Sequence, residues 1–250
     1  MSGHSKWAQI KRQKGVNDAR RGQLFTKVGR EITVAAREGG GDPDANFRLR
    51  LAIQKAREVN MPQDNIQRAI NRGTGADKEG GQLEELFYEG YGPNGVAIMV
   101  QVLTDNRNRA AADVRNVFTR GGGNMGEAGS VAWMFDQKGL ITVELDGANS
   151  EEAELAAIEA GADDIQESDG VLEVYTDKAE LDAVRRALDA QKLKISSAEL
   201  SMVPKTLMDL DEKAATAVAR LVDRLEELDD VQRVYVNADI PEEILASVSG

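Results

Sequence analysis

The sequence predicts an α+β multidomain chain: an N-terminal helical bundle followed by two α/β (ferredoxin-like) domains, the third inserted into the second. Three observations carry this. Residues 5–72 read as consecutive helices separated by Gly- and Pro-marked breaks. Residues 139–203 read in the order β-α-β-β-α-β. The segments on either side of that unit are each too incomplete to bury an apolar face alone, so they are expected to share one layer. The resulting boundaries are 1–80 for a basic helical domain, 81–137 with 205–250 for a discontinuous α/β domain, and 138–204 for the inserted domain. A chain of 250 residues has room for two or three domains.

In chain order, Asn17 and Asp18 offer a cap for a helix running to Arg37, which Gly39-Gly40-Gly41-Asp42-Pro43 stops. Asp44 is placed to cap a second helix to about Val59. Asn60-Met61-Pro62 is a break, and Pro62 suits the first turn of a third helix. That helix runs to Arg72, with Gly73 placed for a left-handed cap. Ser5–Lys14 reads as a further helix or an ordered arm, and the Gly-rich Thr74–Gln82 as a linker. Next come Leu83–Tyr91, an apolar strand Gly95–Thr104, a helix from about Asn108 to Arg120, a Gly-rich loop and a strand Ser130–Phe135.

The inserted unit begins with a strand Gly139–Leu145 and a helix from a cap at Asn149 or Ser150 to Gly161. Strands Asp164–Ser168 and Val171–Thr176 are joined through Asp169-Gly170, a hairpin signal. Asp177 with Glu180 has capping-box spacing for a helix to about Gln191, and Lys192–Val203 alternates as a last strand. A helix Asp211–Leu228 and a strand Val231–Val236 complete the chain.

Charge is distributed unevenly. The net formal charge is −12. Residues 1–80 nevertheless hold 16 lysines and arginines against 9 acids, while the remainder holds 15 against 34. A basic segment on an acidic chain points to a polyanion partner for that segment. At about 100° per residue, Leu24, Phe25, Val28, Ile32, Ala35 and Ala36 share an arc of about 120° on the first helix. Arg20, Lys27, Arg30 and Arg37 share an arc of about 100° opposite, with Glu31 near its edge. Lys6, Lys11, Arg12 and Lys14 form a second basic cluster around Trp7. Such a surface tracks phosphates through counterion release, and Trp7 either stacks on a base or ribose or anchors the arm in a core.

Several function classes are disfavoured. There is no cysteine, so disulfides, thiolate nucleophiles and Cys-based metal sites are absent. The single histidine, His4, completes no Ser-His-Asp arrangement and no metal cluster. Gly121–Gly126 lacks the Gly-Lys-Ser/Thr ending of a phosphate loop and follows a helix instead of preceding one, so it reads as a mobile connection that wraps a partner. The carboxylate pairs Asp163-Asp164 and Asp229-Asp230 leave a Mg²⁺-dependent nuclease or nucleotide hydrolase as a distant alternative. No secretory h-region and no apolar run of about 20 residues is present, so neither export nor membrane insertion is expected. No catalytic residue, metal site or cofactor is assigned.

The strings MSGHSKW, DARRGQLFTKVGREI, GGGDPDANFRLRLAIQKAREVNMPQDNIQRAI, YEGYGPNGVA, LTDNRNR and GGNMGEAGSVAWMF resemble the YebC family over essentially the whole chain. That family includes the mitochondrial translational activator of cytochrome c oxidase subunit I. The resemblance implies the same three-domain layout, nucleic-acid binding, a cytoplasmic location and no catalysis. It assigns nucleic-acid contact to His4, Lys6 and Trp7 and to Arg20, Arg21, Lys27 and Arg30. Lys11, Arg12 and Lys14 join them on charge alone. DNA is the favoured target, with ribosomal RNA or the ribosome as the alternative, and the acidic domains are left for protein partners.

Overall fold

The computed structural model describes residues 18–76, 83–145, 150–168 and 170–248. It is an α+β chain forming two compact units, one of residues up to Phe135 together with those from Pro204 onward, the other Asp136–Val203. The helical bundle falls in the same unit as the discontinuous sheet.

In the first unit the bundle comprises α1 (Asp18–Gly39), α2 (Phe47–Glu58) and α3 (Gln63–Gly73). Val28, Ile32, Leu49, Ile53, Ile66 and Ile70 form its core. The caps differ in detail from the sequence reading. Asn46, not Asp44, caps α2. Its Oδ1 accepts from the Leu49 N–H at 3.1 Å, and its buried amide donates to the carbonyls of Ala35 and Gly40. One side chain thus closes the end of α1 and the start of α2. Asn60 takes the left-handed turn (φ +58°) that ends α2, which Asn tolerates better than most residues. Gly73 is helical rather than a left-handed cap, and the positive φ falls on Gly75. A Cβ at Gly73 would collide with the Thr33 carbonyl, so the glycine lets α3 approach α1 closely.

The sheet of this unit has the order β3-β1-β2-β8, from β1 (Glu84–Tyr91), β2 (Ala97–Thr104), β3 (Asn124–Met125) and β8 (Val231–Val236). β2 is central and buried on both faces. β8 pairs antiparallel with it, so chain segments separated by the inserted unit share one sheet. Helices α4 (Arg107–Arg120) and α7 (Glu212–Glu226) cover the face carrying Ile98, Val100 and Val102. Asp211 caps α7, its carboxylate accepting from the Ala214 N–H at 2.7 Å. A short helix α8 (Glu242–Val248) follows.

The expected strand Ser130–Phe135 does not form over its first five residues. The backbone donors of Val131 and Ala132 are taken by the Glu89 carboxylate instead of a neighbouring strand. Ala132–Met134 makes a 3-10 turn, and the strand starts at Phe135.

The second unit contains β4 (Phe135–Glu144), α5 (Ser150–Ala160), β5 (Asp164–Ser168), β6 (Val171–Asp177), α6 (Leu181–Ala190) and β7 (Lys194–Pro204). The sheet order β5-β6-β4-β7 is the ferredoxin-like one. Ile141, Val143, Leu172 and Val174 face Ala157, Val184 and Leu188 of the two helices. The expected capping box is not made. Asp177 accepts from the Ala179 N–H within its own turn, and α6 starts only after Glu180, which makes no side-chain cap bond.

Candidate nucleic-acid interface

Of the residues singled out in the sequence, His4, Lys6, Trp7, Lys11, Arg12 and Lys14 lie outside the described residues. Arg20 and Arg21 fall in the first turn of α1. Lys27 and Arg30 lie on α1, where both side chains bond within the first unit. The Lys27 ammonium donates to the carbonyl of Glu226 and the Arg30 guanidinium to that of Asp229. Gln23 reaches the carbonyl of Glu227 at 3.2 Å. Arg37 donates to Leu83 at 2.5 Å. Arg30 also pairs with the Asp230 carboxylate at 2.7 Å, with only 16% of its side chain exposed.

Part of this arc, Lys27 and Arg30 together with Gln23, thus meets the C-terminal end of α7 and the turn after it. The physical reason is that the last carbonyls of a helix lack internal partners and carry the negative end of its dipole, so nearby cations satisfy them. Glu226, Glu227, Asp229 and Asp230 add formal negative charge there. One signal in the sequence marks this face: Val34 sits in the middle of the basic arc, and it is fully buried.

Asp230 is the hub of this junction. Its carboxylate takes Arg30, Arg109 of α4 at 3.0 Å and the hydroxyl of Thr104 at 2.9 Å. It thus ties α1, α4 and β2 together. Asp163 of the other pair holds Lys138 at 2.7 Å. Nearby on α1, Glu31 pairs with Lys55 at 2.8 Å. Burial alone would raise the Glu31 carboxyl, but the cations of Lys55, Arg233 and Arg48 hold it below its ordinary value. Among the described residues, no three His, Cys, Asp or Glu side chains gather as a metal site.

The exposed cations of the bundle lie elsewhere. On α3, Ile66 and Ile70 face the core, and the opposite side presents Gln67, Arg68, Asn71 and Arg72. Gln67 and Asn71 bond each other at 3.0 Å, and Arg68 is braced by Asn65. Asp64 is the only acid on this helix. On α2, Arg50 and Arg57 are exposed on one flank, and the Arg50 guanidinium lies 5.2 Å from the Phe47 ring centre. A second set escaped the sequence reading because it sits in the acidic part of the chain. Helix α4 carries Arg107, Arg109, Arg115 and Arg120, all exposed, with Asp113 as its one acid.

The Gly-rich connection is held by backbone and side-chain bonds. Asn124–Met125 pairs with Gly90 and Tyr91 of β1. The buried Glu89 carboxylate accepts from the backbone N–H groups of Gly129, Val131 and Ala132 at 2.7–2.8 Å. Burial alone would raise this carboxyl, and those three donors outweigh it, leaving it below its ordinary value. Gly123 is required because a Cβ there would lie 2.6 Å from the Tyr91 carbonyl. The braced segment ends in Trp133, which is 63% exposed. A strand over 130–135 gives no reason to single out this indole, so the sequence reading passed it over.

Fold and surface together define a multidomain α+β protein whose helical bundle, joined to the discontinuous sheet domain at the end of α7, presents an Arg-, Asn- and Gln-bearing helix to solvent. The chain belongs to the TACO1/YebC family. The family's N-terminal domain matches residues 5–76, and its second and third domains match residues 83–238. A probable transcriptional regulatory protein of Chloroflexus aurantiacus is 59% identical, with 98% of each chain covered. One of Rubrobacter xylanophilus is 55% identical over the full length of both chains. The crystal structure of a conserved hypothetical protein from Aquifex aeolicus is 48% identical and superposes with a TM-score of 0.85, covering 96% of this chain and 98% of that one. Among the described residues no helix is long and apolar enough to cross a membrane.

Proposed function

We propose that this chain is a non-enzymatic, cytoplasmic regulator of gene expression that binds duplex DNA through its N-terminal bundle, with α3 as the helix offered to the groove. The observation that carries this reading is the outward face of α3, where Gln67, Arg68, Asn71 and Arg72 stand opposite the buried isoleucines. Arginine pairs bidentately with guanine, and Asn or Gln with adenine, at base edges in the major groove. Arg50 and Arg57, with Arg20 and Arg21, supply positioning contacts to phosphates. His4, Lys6, Trp7, Lys11, Arg12 and Lys14 form the accompanying arm. The names carried by the relatives support regulation, and the acidic surfaces are left for protein partners.

The test is fluorescence anisotropy with duplex DNA. Changing Arg68 and Arg72 together to Glu weakens binding by about 100-fold and makes the slope of log K against log salt shallower by about 2. The far-ultraviolet circular dichroism stays that of wild type, because both side chains point away from the core. Unchanged affinity in a folded variant removes α3 from the interface. A DNA regulator also prefers its own site over random duplex by about 10³-fold or more.

A second reading, a translation activator on ribosomal RNA, is favoured by the inward commitment of Lys27 and Arg30. It breaks the continuous basic helix and leaves cations spread over α2 and α3, a pattern suited to the shape of folded RNA. Pelleting with ribosomes at physiological salt, with no genomic fragment preferred by about tenfold over random duplex, replaces the DNA reading with this one.

A further inference from the structure

We propose that the outward face of α5 docks a basic amphipathic helix of another protein, with Leu155 and Ile158 as the apolar seam and Glu154 and Glu159 as the acids on either side of it. The inference gives a place and a chemistry to the reading that acidic surfaces meet protein partners. It does not draw on the α3 interface.

Helix α5 inverts the usual amphipathic order. Its core side is made of small residues, Ala153, Ala156 and Ala157, all buried. Its large apolar side chains point the other way, with Leu155 57% and Ile158 62% exposed. One exposed apolar residue is ordinary, but two of them one turn apart form a stripe. Helix propensity explains Leu155 and not Ile158, because a β-branched residue weakens a helix unless packing rewards it. At about 100° per residue the pair is flanked by Glu154 on one side and Glu159 on the other, with Glu151 between them one turn earlier. This is the pattern of a coiled-coil helix, with apolar a and d positions and acids at g and e. The helix carries no Lys or Arg. Glu151 and Glu152 in the first turn complement the helix dipole. Glu159 sits in the last turn, where the dipole disfavours an acid, so the folding of α5 does not account for it.

The charge of the face selects its occupant. The side chains of Glu151, Glu152, Glu154 and Glu159 make no ion pair or hydrogen bond among the described residues. The arginines of the neighbouring helix α6, Arg185 and Arg186, both pair with Asp182 at 3.0 Å. Carboxylates around an apolar pair repel nucleic acid and anionic lipid. They also repel the identical face of a second copy, which a twofold pairing would bring against them. They attract a helix that carries Lys or Arg beside its own apolar seam, the arrangement that sets partner choice and orientation between helices.

The probe is a fluorescein-labelled peptide of two heptads, about 14 residues, with Leu at a and d and Lys at e and g. The controls are the same peptide with Glu at e and g, and the same peptide with Ser at a and d. The full-length wild-type chain binds the Lys peptide about 10-fold or more tightly than either control. Its addition shifts the Leu155 and Ile158 methyl resonances in NMR spectra of the full-length chain. Leu155→Gln with Ile158→Gln weakens binding by about 10-fold or more. The circular dichroism of that variant stays that of wild type, because both side chains stand outside the core. Glu154→Lys with Glu159→Lys exchanges the preference from the Lys peptide to the Glu peptide. The methyl shifts are read on the wild-type chain, so they decide the matter even where a variant fails to fold. Absence of a shift at both methyls overturns the proposal. Affinity within about twofold of wild type in the folded Gln variant also overturns it, since net charge alone then holds the peptide. A dimer in sedimentation equilibrium that the Gln variant dissolves puts a second copy on the face and overturns it too. The Arg68 and Arg72 variant binds the Lys peptide as wild type does, and the Gln variant binds duplex DNA as wild type does, so the failure of either reading is seen apart from the other.

Discussion

Helices α1 and α3 lie side by side in one bundle, both carry cations opposite an apolar stripe, and the two cationic faces meet different surroundings. On α1, Lys27 and Arg30 are spent on the carbonyls and carboxylate at the end of α7. On α3, Arg68 and Arg72 stand in solvent among amide side chains. A basic helix face therefore identifies a partner that is negative without saying whether that partner is a phosphate or the C-terminus of another helix in the same chain. An apolar residue inside the arc helps to decide. Val34 interrupts the cations of α1 and is buried, whereas the corresponding face of α3 is polar throughout.

The comparison breaks most easily at Asp230. Asp230→Ala leaves Arg30 partly buried without its carboxylate and Thr104 with only the Asn106 carbonyl at 3.2 Å, so the first unit is expected to lose about 3–4 kcal/mol in denaturant unfolding. Arg30→Met costs less, about 1–2 kcal/mol, because Asp230 keeps Arg109 and Thr104. Neither change alters nucleic-acid affinity if the folded fraction is held constant. A specific loss of affinity in folded Arg30→Met would return α1 to the binding surface. The reciprocal expectation is that the Arg68 and Arg72 double variant keeps its unfolding midpoint to within about 0.5 kcal/mol, since exposed substitutions away from packing are nearly neutral.

Glu89 sharpens the contrast between a braced loop and a mobile one. Its folded-state carboxyl is held below its ordinary value. The stability it contributes is present above the ordinary carboxyl range and is lost as pH falls through the depressed folded value. Glu89→Gln is expected to cost about 2 kcal/mol near pH 7 and to flatten the acid limb of the stability curve. It also raises hydrogen exchange at Gly129, Val131 and Ala132. Unchanged exchange at these amides would mean that the carboxylate does not organise the loop. The smallest effect is expected at the exposed end of α1's contacts. Lys55→Ala removes a partner of Glu31 whose own side chain is 43% exposed, at a cost of about 0.5 kcal/mol that shrinks with salt.

Much of the architecture was legible because it is local. The i, i+3, i+4 spacing of Val28, Ile32, Ala35 and Ala36 marks the buried side of α1, and all four are buried. The break at Asn60 and the hairpin turn at Gly170 follow from backbone conformations those residues tolerate. Errors arose where a local signal had a stronger distant competitor. Gly73 resembles a helix stop, yet its value lies in the close approach of α3 to Thr33, a contact across the bundle. Val131–Phe135 is a short apolar run that reads as a strand, yet Glu89, 42 residues before Val131, takes the N–H groups a strand would need. The run Gly121–Gly126 has the composition of a flexible loop, but Gly121 lies tight against Leu221, Gly123 against the Tyr91 carbonyl and Gly126 against Ser130.

The sequence by itself determined which residues turn inward within each helix and strand, the βαββαβ order, and the incompleteness that forces β8 back onto β2. Each of these follows from side-chain period or turn chemistry over a few residues, or from the need to bury an apolar face. Only the tertiary structure decided which charged face is spent inside the molecule and which remains outside. Lys27 and Glu226 are 199 residues apart, and no local rule relates an ammonium on one helix to a carbonyl at the end of another. The same holds for Trp133. Its indole is exposed because Glu89, Tyr91 and Ser130 fix the loop from beneath, an arrangement that exists only once β1 has folded under it.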